Sequence, residues 1–220
     1  MLVTQTTPIG SLQAVAHYPM MNDTSHMTRR IGVILAAGRG GRMGGRKQLT
    51  PWAGAGSSKP LVAASYDAIH SICDDMVVVL GHIGDSVVEA LGDRPFHRAE
   101  SDPDAPMFES IRAGLRAALL LDPSAGVVLQ PCDHPEVAPS TLRIIADEAI
   151  ARPHQAIIPQ FAGRGGHPAL IPSTICDQLL AAECPDGLGQ FWLDHPDLVH
   201  RVPIDDSTVV RDIDTPADLG

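Results

Sequence analysis

The chain has few cysteines, and their spacing indicates neither a zinc knuckle nor a disulfide framework. The four cysteines are Cys73, Cys132, Cys176 and Cys184, and no two of them form a CxxC pair. Scattered cysteines of this kind are typical of proteins that work in a reducing compartment. We therefore expect free thiols and a cytoplasmic location.

Long apolar runs and basic stripes are also missing. No apolar stretch approaches the roughly 20 residues that a membrane-spanning helix needs, and the N-terminus lacks a basic segment followed by an apolar one. The formal net charge is −10 at pH 7, and the glycine-rich segment described below holds the main cluster of cations. Nucleic acids and anionic membranes attract basic surfaces. We therefore expect neither as a partner, and small molecules as substrates.

What is present is enough sequence for one α/β domain. The chain has 220 residues, of which residues 1–30 show no sustained periodicity and are expected to form a disordered extension. Residues 31–220 alternate apolar, strand-like segments such as 75–80 with amphipathic segments such as 107–121. This alternation predicts right-handed crossovers and a mainly parallel sheet. Ligands bind such sheets at the carboxyl ends of the strands.

A glycine-rich segment follows the first predicted strand. The apolar run 31–37 leads into five glycines between Gly38 and Gly45, interspersed with and followed by four cations, Arg39, Arg42, Arg46 and Lys47. Glycine lets successive backbone N–H groups converge on an anion such as a phosphate. The composition therefore favours a triphosphate site, and a flexible surface turn with solvated arginines is the alternative.

Two common phosphate-binding motifs do not fit this segment. A Walker motif requires Ser or Thr after its lysine, and Gln48 stands there instead. The third glycine of a Rossmann fingerprint would fall on Met43. The segment therefore belongs to neither class.

The segment does resemble the signature LAAGxSxRMGxxKxL of the MobA-like nucleotidyltransferases, with Gly40 in place of the usual serine. The resemblance implies a three-layer, mainly parallel α/β sheet of the nucleotide-diphospho-sugar transferase (Rossmann-like) fold. It also implies that Arg42 and Lys47 hold the triphosphate, and that main-chain groups of Leu35 and Ala36 bind the base. The residues expected to contact the nucleotide in this segment are Leu35, Ala36, Ala37, Gly38, Arg39, Gly40, Gly41, Arg42 and Lys47.

A second pattern follows the apolar run 126–130. Asp133 comes just beyond this predicted strand, at the sheet edge that also carries the glycine-rich segment if the strands are parallel. Mg²⁺ prefers one or two carboxylates together with substrate phosphate oxygens, and an Asx turn or helix cap is the alternative role. The sequence VVLQPCDHPEVAPSTL resembles the family motif GDxPxVxPxTL. That resemblance implies that Asp133 binds nucleotide and a Mg²⁺ or Mn²⁺ cofactor and acts in catalysis with Arg42 and Lys47.

The C-terminal segment VRDIDTPADL resembles the DIDTPEDL ending of the same family. Carboxylates at positions i and i+2 of an extended segment face the same side, so Asp212 and Asp214 could share a cation. We expect Asp214 to cap the turn that follows it. Asp212 is then the predicted second metal ligand.

Two further segments resemble substrate-side elements of the family. The Gly166–Pro168 triplet GHP is similar to a hairpin of the molybdenum cofactor cytidylyltransferase branch, which implies that His167 binds substrate. A hydrogen bond within a tight turn is the alternative role of His167. Residues 107–112, MFESIR, resemble the helix start GMxxSIR. This implies that Ser110 lies at the nucleotide and Arg112 at the substrate.

Together these resemblances imply a Mg²⁺-dependent nucleotidyltransferase that releases pyrophosphate. The LAAG spelling, in place of the LAGG of guanylyl-transferring relatives, favours transfer of CMP from CTP. The implied acceptor is a small phosphorylated molecule, molybdopterin, and a molybdoenzyme that receives the product is the implied protein partner. Two alternatives stay open: transfer to a sugar or polyol phosphate, and a non-catalytic nucleotide-binding maturation factor.

Overall fold

The computed structural model describes residues 29–39, 45–54, 58–184 and 186–219. Most of the predicted N-terminal extension therefore lies outside the described residues. The strands are β1 (Arg30–Leu35), β2 (Pro51–Trp52), β3 (Lys59–Pro60), β4 (Asp75–Leu80), β5 (His97–Glu100), β6 (Gly126–Pro131), β7 (Ala156–Phe161), β8 (Arg164–Gly165), β9 (Ala169–Ile171) and β10 (Val199–Pro203). The helices are α1 (Leu61–His70), α2 (Gly84–Leu91), α3 (Met107–Leu121), α4 (Pro139–Ala151), α5 (Ser173–Ala181) and α6 (Gly187–Asp194).

The main sheet has the strand order β10-β7-β9-β6-β1-β4-β5, with β8 paired to β7. Strand β1 lies at its centre and is parallel to both β4 and β6. Strand β9 runs antiparallel to its neighbours β6 and β7. The prediction of a mainly parallel α/β sheet is confirmed, and the crossover helices explain why: each returns the chain to start a new parallel strand.

Strand and helix bounds follow the hydrophobic pattern closely. The predicted strand 75–80 and helix 107–121 match β4 and α3 at both ends. Helix α1 begins at Leu61, directly after Pro60, which pairs with Pro51 in the small β2–β3 ladder. The first strand ends at Leu35, two residues before the expected end.

Two apolar layers cover the two faces of the sheet. Along β1, side chains alternate: Val33 and Leu35 pack towards α3, and Ile34 packs towards α1 and α4. Both layers are buried, which explains why β1, β4 and β6 are apolar at consecutive positions rather than at alternate ones.

Helix α3 packs unusually close to the centre of the sheet. Its buried residues Phe108, Ile111, Leu115 and Ala118 recur at helical spacing on one face. On that face, a Cβ at Gly114 would lie 2.4 Å from Cγ1 of Val33. The glycine therefore permits the close approach that brings the first turn of α3 to the end of β1. Among the described residues, no helix is both long and apolar enough to cross a membrane.

Candidate active site

The predicted functional segments meet at the carboxyl ends of β1 and β6. Leu35 pairs with Pro131 at the last position of the two parallel strands, so the chain beyond each strand emerges at the same edge. The end of β4 approaches the same place, since a Cβ at Gly81 would lie 2.4 Å from the carbonyl oxygen of Ala37. Parallel pairing thus brings segments distant in sequence to one edge, as expected for an open α/β sheet.

The centre of the site is Lys47, whose ammonium group contacts two carboxylates. Its Nζ lies 2.7 Å from Oδ2 of Asp133 and 2.5 Å from Oδ1 of Asp214. The lysine side chain is only 11% exposed. Burial works against its charge, but the hydrogen bonds to Asp133 and then Asp214 outweigh burial and raise the pKa of Lys47 above its ordinary value. The ammonium group is therefore charged at neutral pH.

Short local contacts position these three side chains. Lys47 opens the 3-10 turn Lys47–Leu49, and its carbonyl accepts a hydrogen bond from the N–H of Thr50 at 3.1 Å. The N–H of Ile213 donates to the carbonyl of Asp133 at 3.0 Å. Ile213 is fully buried in a small apolar cluster with Trp52, Leu61 and Ala64. This anchor brings the C-terminal segment, and Asp214 with it, to Asp133.

The structure brings Asp214 to Lys47, and not Asp212. Residues 211–214 form no regular strand, so the alternation on which the choice of Asp212 depended does not apply. Asp212 is exposed. The carboxylate of Asp218 accepts hydrogen bonds from the N–H groups of Asp214 at 3.1 Å and Thr215 at 2.7 Å, and the capping role of Asp214 stays a prediction.

The carboxylates fit a divalent cation. They already converge on one positive group, and Oδ1 of Asp133 is buried without a hydrogen-bond partner in the described part of the chain. Within the described ranges, no group of three or more His, Cys, Asp or Glu side chains is arranged to hold a metal ion. Mg²⁺ favours a ligand set of one or two carboxylates together with oxygens of the substrate phosphates. Asp133 and Asp214 are therefore the residues that would hold Mg²⁺ or Mn²⁺.

Two histidines lie beside this cluster. The rings of His134 and His167 pack edge to face, with centroids 4.8 Å apart. Burial lowers the pKa of His134, although the carboxylates of Asp133 and Asp212 oppose this effect. Burial, reinforced by His134, lowers the pKa of His167 to about 4. Both rings are therefore neutral at pH 7.

A pocket of about 270 Å³ opens next to Lys47. It is lined by Leu35, Ala37, Gly38, Lys47, Gln48, Asp102, Pro103, Ala105, Met107, Ser110, Pro131, Cys132 and Asp133. Five predicted nucleotide residues, Leu35, Ala37, Gly38, Lys47 and Ser110, are among them, together with Asp133. We call this cavity the nucleotide pocket.

Ala36 does not line the nucleotide pocket. Its side chain is fully buried in the sheet's second apolar layer. Its N–H donates to the carbonyl of Val79 at 3.0 Å, and its carbonyl accepts a hydrogen bond from Nε2 of Gln48 at 3.0 Å. The sheet and Gln48 already bind the main-chain groups of Ala36, and the contact between these groups and the base stays a prediction.

Two other predicted residues, Arg112 and Arg39, do not line the nucleotide pocket. The Arg112 guanidinium donates to Glu109 at 3.0 Å and to the carbonyl of Leu180 at 2.6 Å, so it faces α5 and lines neither the nucleotide pocket nor the cavity at His167. Its predicted substrate contact stays a prediction. Arg39 is exposed and pairs with Asp104 at 2.7 Å. Gly40, Gly41 and Arg42 lie outside the described residues.

Gln48 is a residue that sequence reasoning missed. Its side chain is 2% exposed, and its amide nitrogen donates to the carbonyls of both Ala36 and Gly38. Gln48 thus ties the turn that carries Lys47 to the start of the glycine-rich segment. The available signal was a polar residue placed directly between Lys47 and the apolar Leu49.

These features define an α/β domain of the nucleotide-diphospho-sugar transferase fold, with a lysine–carboxylate cluster at the ligand-binding edge of its sheet. The chain belongs to the family described as the MobA-like NTP transferase domain, whose sequence model matches residues 32–199.

Known proteins support this assignment. A molybdenum cofactor guanylyltransferase from Pseudomonas putida is 34% identical over 129 residues, which are 58% of this chain and 62% of that protein. The chain therefore matches less than two thirds of that relative's length. The crystal structure of Rv0371c from Mycobacterium tuberculosis H37Rv has 28% identity and a TM-score of 0.74, and covers 87% of this chain and 95% of the other. A manganese complex of Rv0371c has 28% identity and a TM-score of 0.68. The match covers 87% of this chain and 96% of the other.

Proposed function

We propose that the protein transfers a nucleoside monophosphate from a nucleoside triphosphate to a phosphorylated acceptor and releases pyrophosphate. The observation that carries this proposal is the cluster of Lys47, Asp133 and Asp214 beside the nucleotide pocket. A buried cation and two carboxylates at one edge are the groups that phosphoryl and nucleotidyl transfer require, since this chemistry depends on positioning and charge neutralisation.

The reaction needs no nucleophile from the protein. An oxygen of the acceptor phosphate attacks the α-phosphorus of the triphosphate, a new P–O bond forms, and the bond between the α-phosphorus and the bridging oxygen breaks. The electron pair of that bond leaves with pyrophosphate. Lys47 and the loop N–H groups stabilise the negative charge that grows on the leaving group. Arg42, in the same segment, is proposed to assist at the triphosphate.

The divalent cation is the proposed cofactor. Asp133 and Asp214 would hold Mg²⁺ or Mn²⁺, which would supply charge neutralisation and orient the phosphates. The manganese complex of Rv0371c supports metal use in a structurally similar protein. Asp133 and Asp214 orient each other through Lys47, so their carboxylates are pre-aligned for this role.

The nucleotide is proposed to be CTP, and Ala37 supports this choice. The residue is 2% exposed and lines the nucleotide pocket together with Leu35. Guanylyl-transferring relatives carry glycine at the corresponding position of LAGG. The name of the Pseudomonas putida relative favours GTP instead, and GTP is therefore the second candidate.

The acceptor is proposed to be molybdopterin. The names of the Pseudomonas relatives refer to the molybdenum cofactor. His167 lies in a cavity next to the nucleotide pocket. A molybdoenzyme is the proposed recipient of the product. Sugar or polyol phosphates remain the alternative acceptors, and a non-catalytic maturation role remains the alternative from another class.

Pyrophosphate release tests this proposal. The protein is incubated with Mg²⁺ or Mn²⁺, each of CTP, GTP, ATP and UTP, and either molybdopterin or a polyol phosphate. We expect release that needs CTP, a divalent cation and molybdopterin, and that is lost in Asp133→Asn. Release with a polyol phosphate alone would assign the other acceptor. Nucleotide binding without release under any condition would favour the maturation role.

A further inference from the structure

The turn that carries Asp133 is bound at four consecutive carbonyl groups, and we call its residues 131–134 the Asp133 turn. The carbonyl of Pro131 accepts a hydrogen bond from the N–H of His134 at 3.3 Å, and the carbonyl of Asp133 accepts one from the N–H of Ile213 at 3.0 Å. The carbonyls of Cys132 and His134 accept hydrogen bonds from side chains. The backbone of the Asp133 turn is therefore held largely by groups outside it.

Ser65 is the first of the two side chains that bind this turn. Its hydroxyl donates to the carbonyl of Cys132 at 2.8 Å, from helix α1 and across 67 positions of the sequence. Ser65 is fully buried. Serine is a weaker helix former than alanine, and a buried hydroxyl is costly unless it is hydrogen-bonded. Packing alone would therefore favour alanine at this position, and the contact with Cys132 is what the hydroxyl adds.

Gln130 is the second side chain. It lies in β6, all six residues of which are buried, and it is the one polar residue of that strand. Its amide nitrogen donates to the carbonyl of His134 at 2.6 Å. A buried amide also loses its hydrogen bonds to water, so an apolar residue would suit a strand covered on both faces better. The hydrogen bond to His134 holds the peptide group at the end of the Asp133 turn.

These hydrogen bonds fix the direction in which the Asp133 side chain leaves the backbone. Peptide groups are planar, so only the dihedral angles φ and ψ of a residue relate the peptide before it to the peptide after it. Ser65 binds the peptide before Asp133, through the carbonyl of Cys132, and Ile213 binds the peptide after it, through the carbonyl of Asp133. Holding both peptides sets φ and ψ of Asp133, and with them the Cα–Cβ bond that directs the carboxylate to Lys47.

We infer that Ser65 and Gln130 are positioning residues for the Asp133 carboxylate. Neither lines the nucleotide pocket, and both act through the backbone of the Asp133 turn. The inference rests on the proposed function, in which Asp133 and Asp214 would hold a divalent cation. Removing a group that orients a metal ligand typically changes metal affinity or activity by about 10- to 100-fold. Ser65 and Gln130 are therefore expected to affect the cation without contacting it.

The test removes each donor with little change in side-chain volume, by Ser65→Ala and by Gln130→Met. In each variant of the full chain, we expect the Kd for Mn²⁺, measured by calorimetry without nucleotide, to rise about tenfold. At saturating Mn²⁺, kcat for pyrophosphate release should fall about tenfold, because a misaligned carboxylate costs most in the transition state. KM for the nucleotide should change about twofold or less. A purely structural role would lower the melting temperature and leave Kd and kcat unchanged.

Tyr66→Phe is the matched control. Tyr66 follows Ser65 in α1 and is 2% exposed, and its hydroxyl also donates to a backbone carbonyl, that of Pro95, at 2.6 Å. This variant removes one hydroxyl from the same helix and leaves the four hydrogen bonds to the Asp133 turn in place. We expect it to lower the melting temperature, as Ser65→Ala does, and to bind Mn²⁺ with unchanged affinity.

Amide hydrogen exchange tests the inference without metal or nucleotide. The N–H of Ile213 bonds to the carbonyl of Asp133, so its exchange rate reports whether the Asp133 turn keeps its position. In the metal-free protein, we expect Ile213 to exchange about tenfold faster in Ser65→Ala than in wild type, the scale of one hydrogen bond. Tyr66→Phe should exchange at the wild-type rate.

The possible outcomes distinguish this inference from the proposed function. Wild-type Mn²⁺ affinity, kcat and Ile213 exchange in both Ser65→Ala and Gln130→Met would overturn the inference. Equal effects in Tyr66→Phe would also overturn it, because they would then come from helix α1 and not from the hydrogen bonds to the turn. If the wild-type protein neither binds Mn²⁺ nor releases pyrophosphate, the proposed function fails, and faster exchange of Ile213 in Ser65→Ala would still show that Ser65 positions the Asp133 turn.

Discussion

Asp133 and Asp214 accept hydrogen bonds from the same ammonium group, that of Lys47, at 2.7 Å and 2.5 Å. The three residues come from a loop after β6, the C-terminal segment and the turn after the glycine-rich segment, so only the folded chain brings them together. Each carboxylate keeps a charged partner if the other is removed. The cluster can therefore be altered one residue at a time without leaving Lys47 as an unpaired buried charge.

The two carboxylates should be necessary for transfer but not for folding. Asp133→Asn and Asp214→Asn should each lower the rate of pyrophosphate release by about two to three orders of magnitude, the effect of losing one transition-state contact. The melting temperature should change little, because Lys47 keeps the other carboxylate. Steady-state release and thermal unfolding measure the two effects.

Asp212→Asn is the matched control for these variants. Asp212 is exposed and has no hydrogen bond to Lys47, so this variant should retain nearly full activity. Mn²⁺ titration by calorimetry should show weaker binding in Asp214→Asn and unchanged binding in Asp212→Asn. Loss of metal binding in Asp212→Asn alone would instead support Asp212 as the second ligand.

Lys47→Ala should weaken binding of the triphosphate and slow transfer further. Coulomb attraction between unit charges at about 4 Å is roughly 4 kcal/mol at an effective dielectric of about 20, before desolvation is subtracted. Only part of this remains, so we expect binding to weaken by about one to two orders of magnitude. Calorimetry with CTP and single-turnover transfer measure the two effects.

Lys59→Ala is the control for Lys47→Ala. Nζ of Lys59 lies 2.6 Å from Oδ2 of Asp67, and Lys59 does not line the nucleotide pocket. Normal CTP binding by Lys47→Ala would show that the triphosphate does not bind at this lysine. The proposed mechanism would then lose its principal cation.

Much of the fold could be predicted from the sequence because burial dictates it. Segment 75–80 is apolar at consecutive positions, as in a strand buried on both faces, and segment 107–121 is apolar at helical spacing, as in an amphipathic helix. Strand β4 and helix α3 match these segments. Strand β9 was missed, since its three residues Ala169–Ile171 are too few to show a period. Its antiparallel direction depends on pairing with β6 and β7, which no local pattern encodes.

The candidate site was predictable where a local pattern marks a residue. Asp133 comes just beyond the end of β6, and Lys47 belongs to the glycine-rich segment that follows β1. Asp214 was not predictable, because its orientation depends on the burial of Ile213 against Trp52 and on the long-range hydrogen bond to Asp133. The hydrogen bond from Arg112 to the carbonyl of Leu180 was not predictable for a similar reason, since Leu180 comes from α5.

Ala37→Gly should shift the nucleotide preference from CTP towards GTP. Ala37 lines the nucleotide pocket and is 2% exposed, and we expect removal of its methyl group to open space for the larger base. One methyl group typically changes discrimination by about tenfold or more. The ratio of rate constants for CTP and GTP, measured in competition, tests this prediction. A wild-type protein that already prefers GTP would overturn the cytidylyl assignment.

Gln48→Met should loosen the turn that carries Lys47. The Gln48 amide donates to the carbonyls of Ala36 and Gly38, and methionine keeps the volume but cannot donate. Leaving these acceptors unpaired should lower the free energy of unfolding by about 1–3 kcal/mol. Urea denaturation measures this loss. Gln190→Met, on the exposed face of α6, is the control and should leave stability unchanged.

Asp206 should stabilise the fold in a pH-dependent way. Its carboxylate accepts hydrogen bonds from the N–H of Ala138 at 3.1 Å, from Thr141 at 2.7 Å and from Thr208 at 2.6 Å, and so binds the start of α4. Burial opposes its charge, but these hydrogen bonds outweigh burial and lower the pKa of Asp206 below the ordinary 3.8. A lowered pKa means that the unfolded chain takes up a proton first as the pH falls. The contribution of Asp206 to the free energy of unfolding is therefore present above pH 3.8 and is lost as the pH falls through the lower folded-state pKa.

Asp206→Ala should lower the free energy of unfolding by about 1–2 kcal/mol at pH 7. The difference from wild type in urea denaturation should narrow below the ordinary pKa of an aspartate. A constant difference between Asp206→Ala and wild type at every pH would contradict the role of the charge.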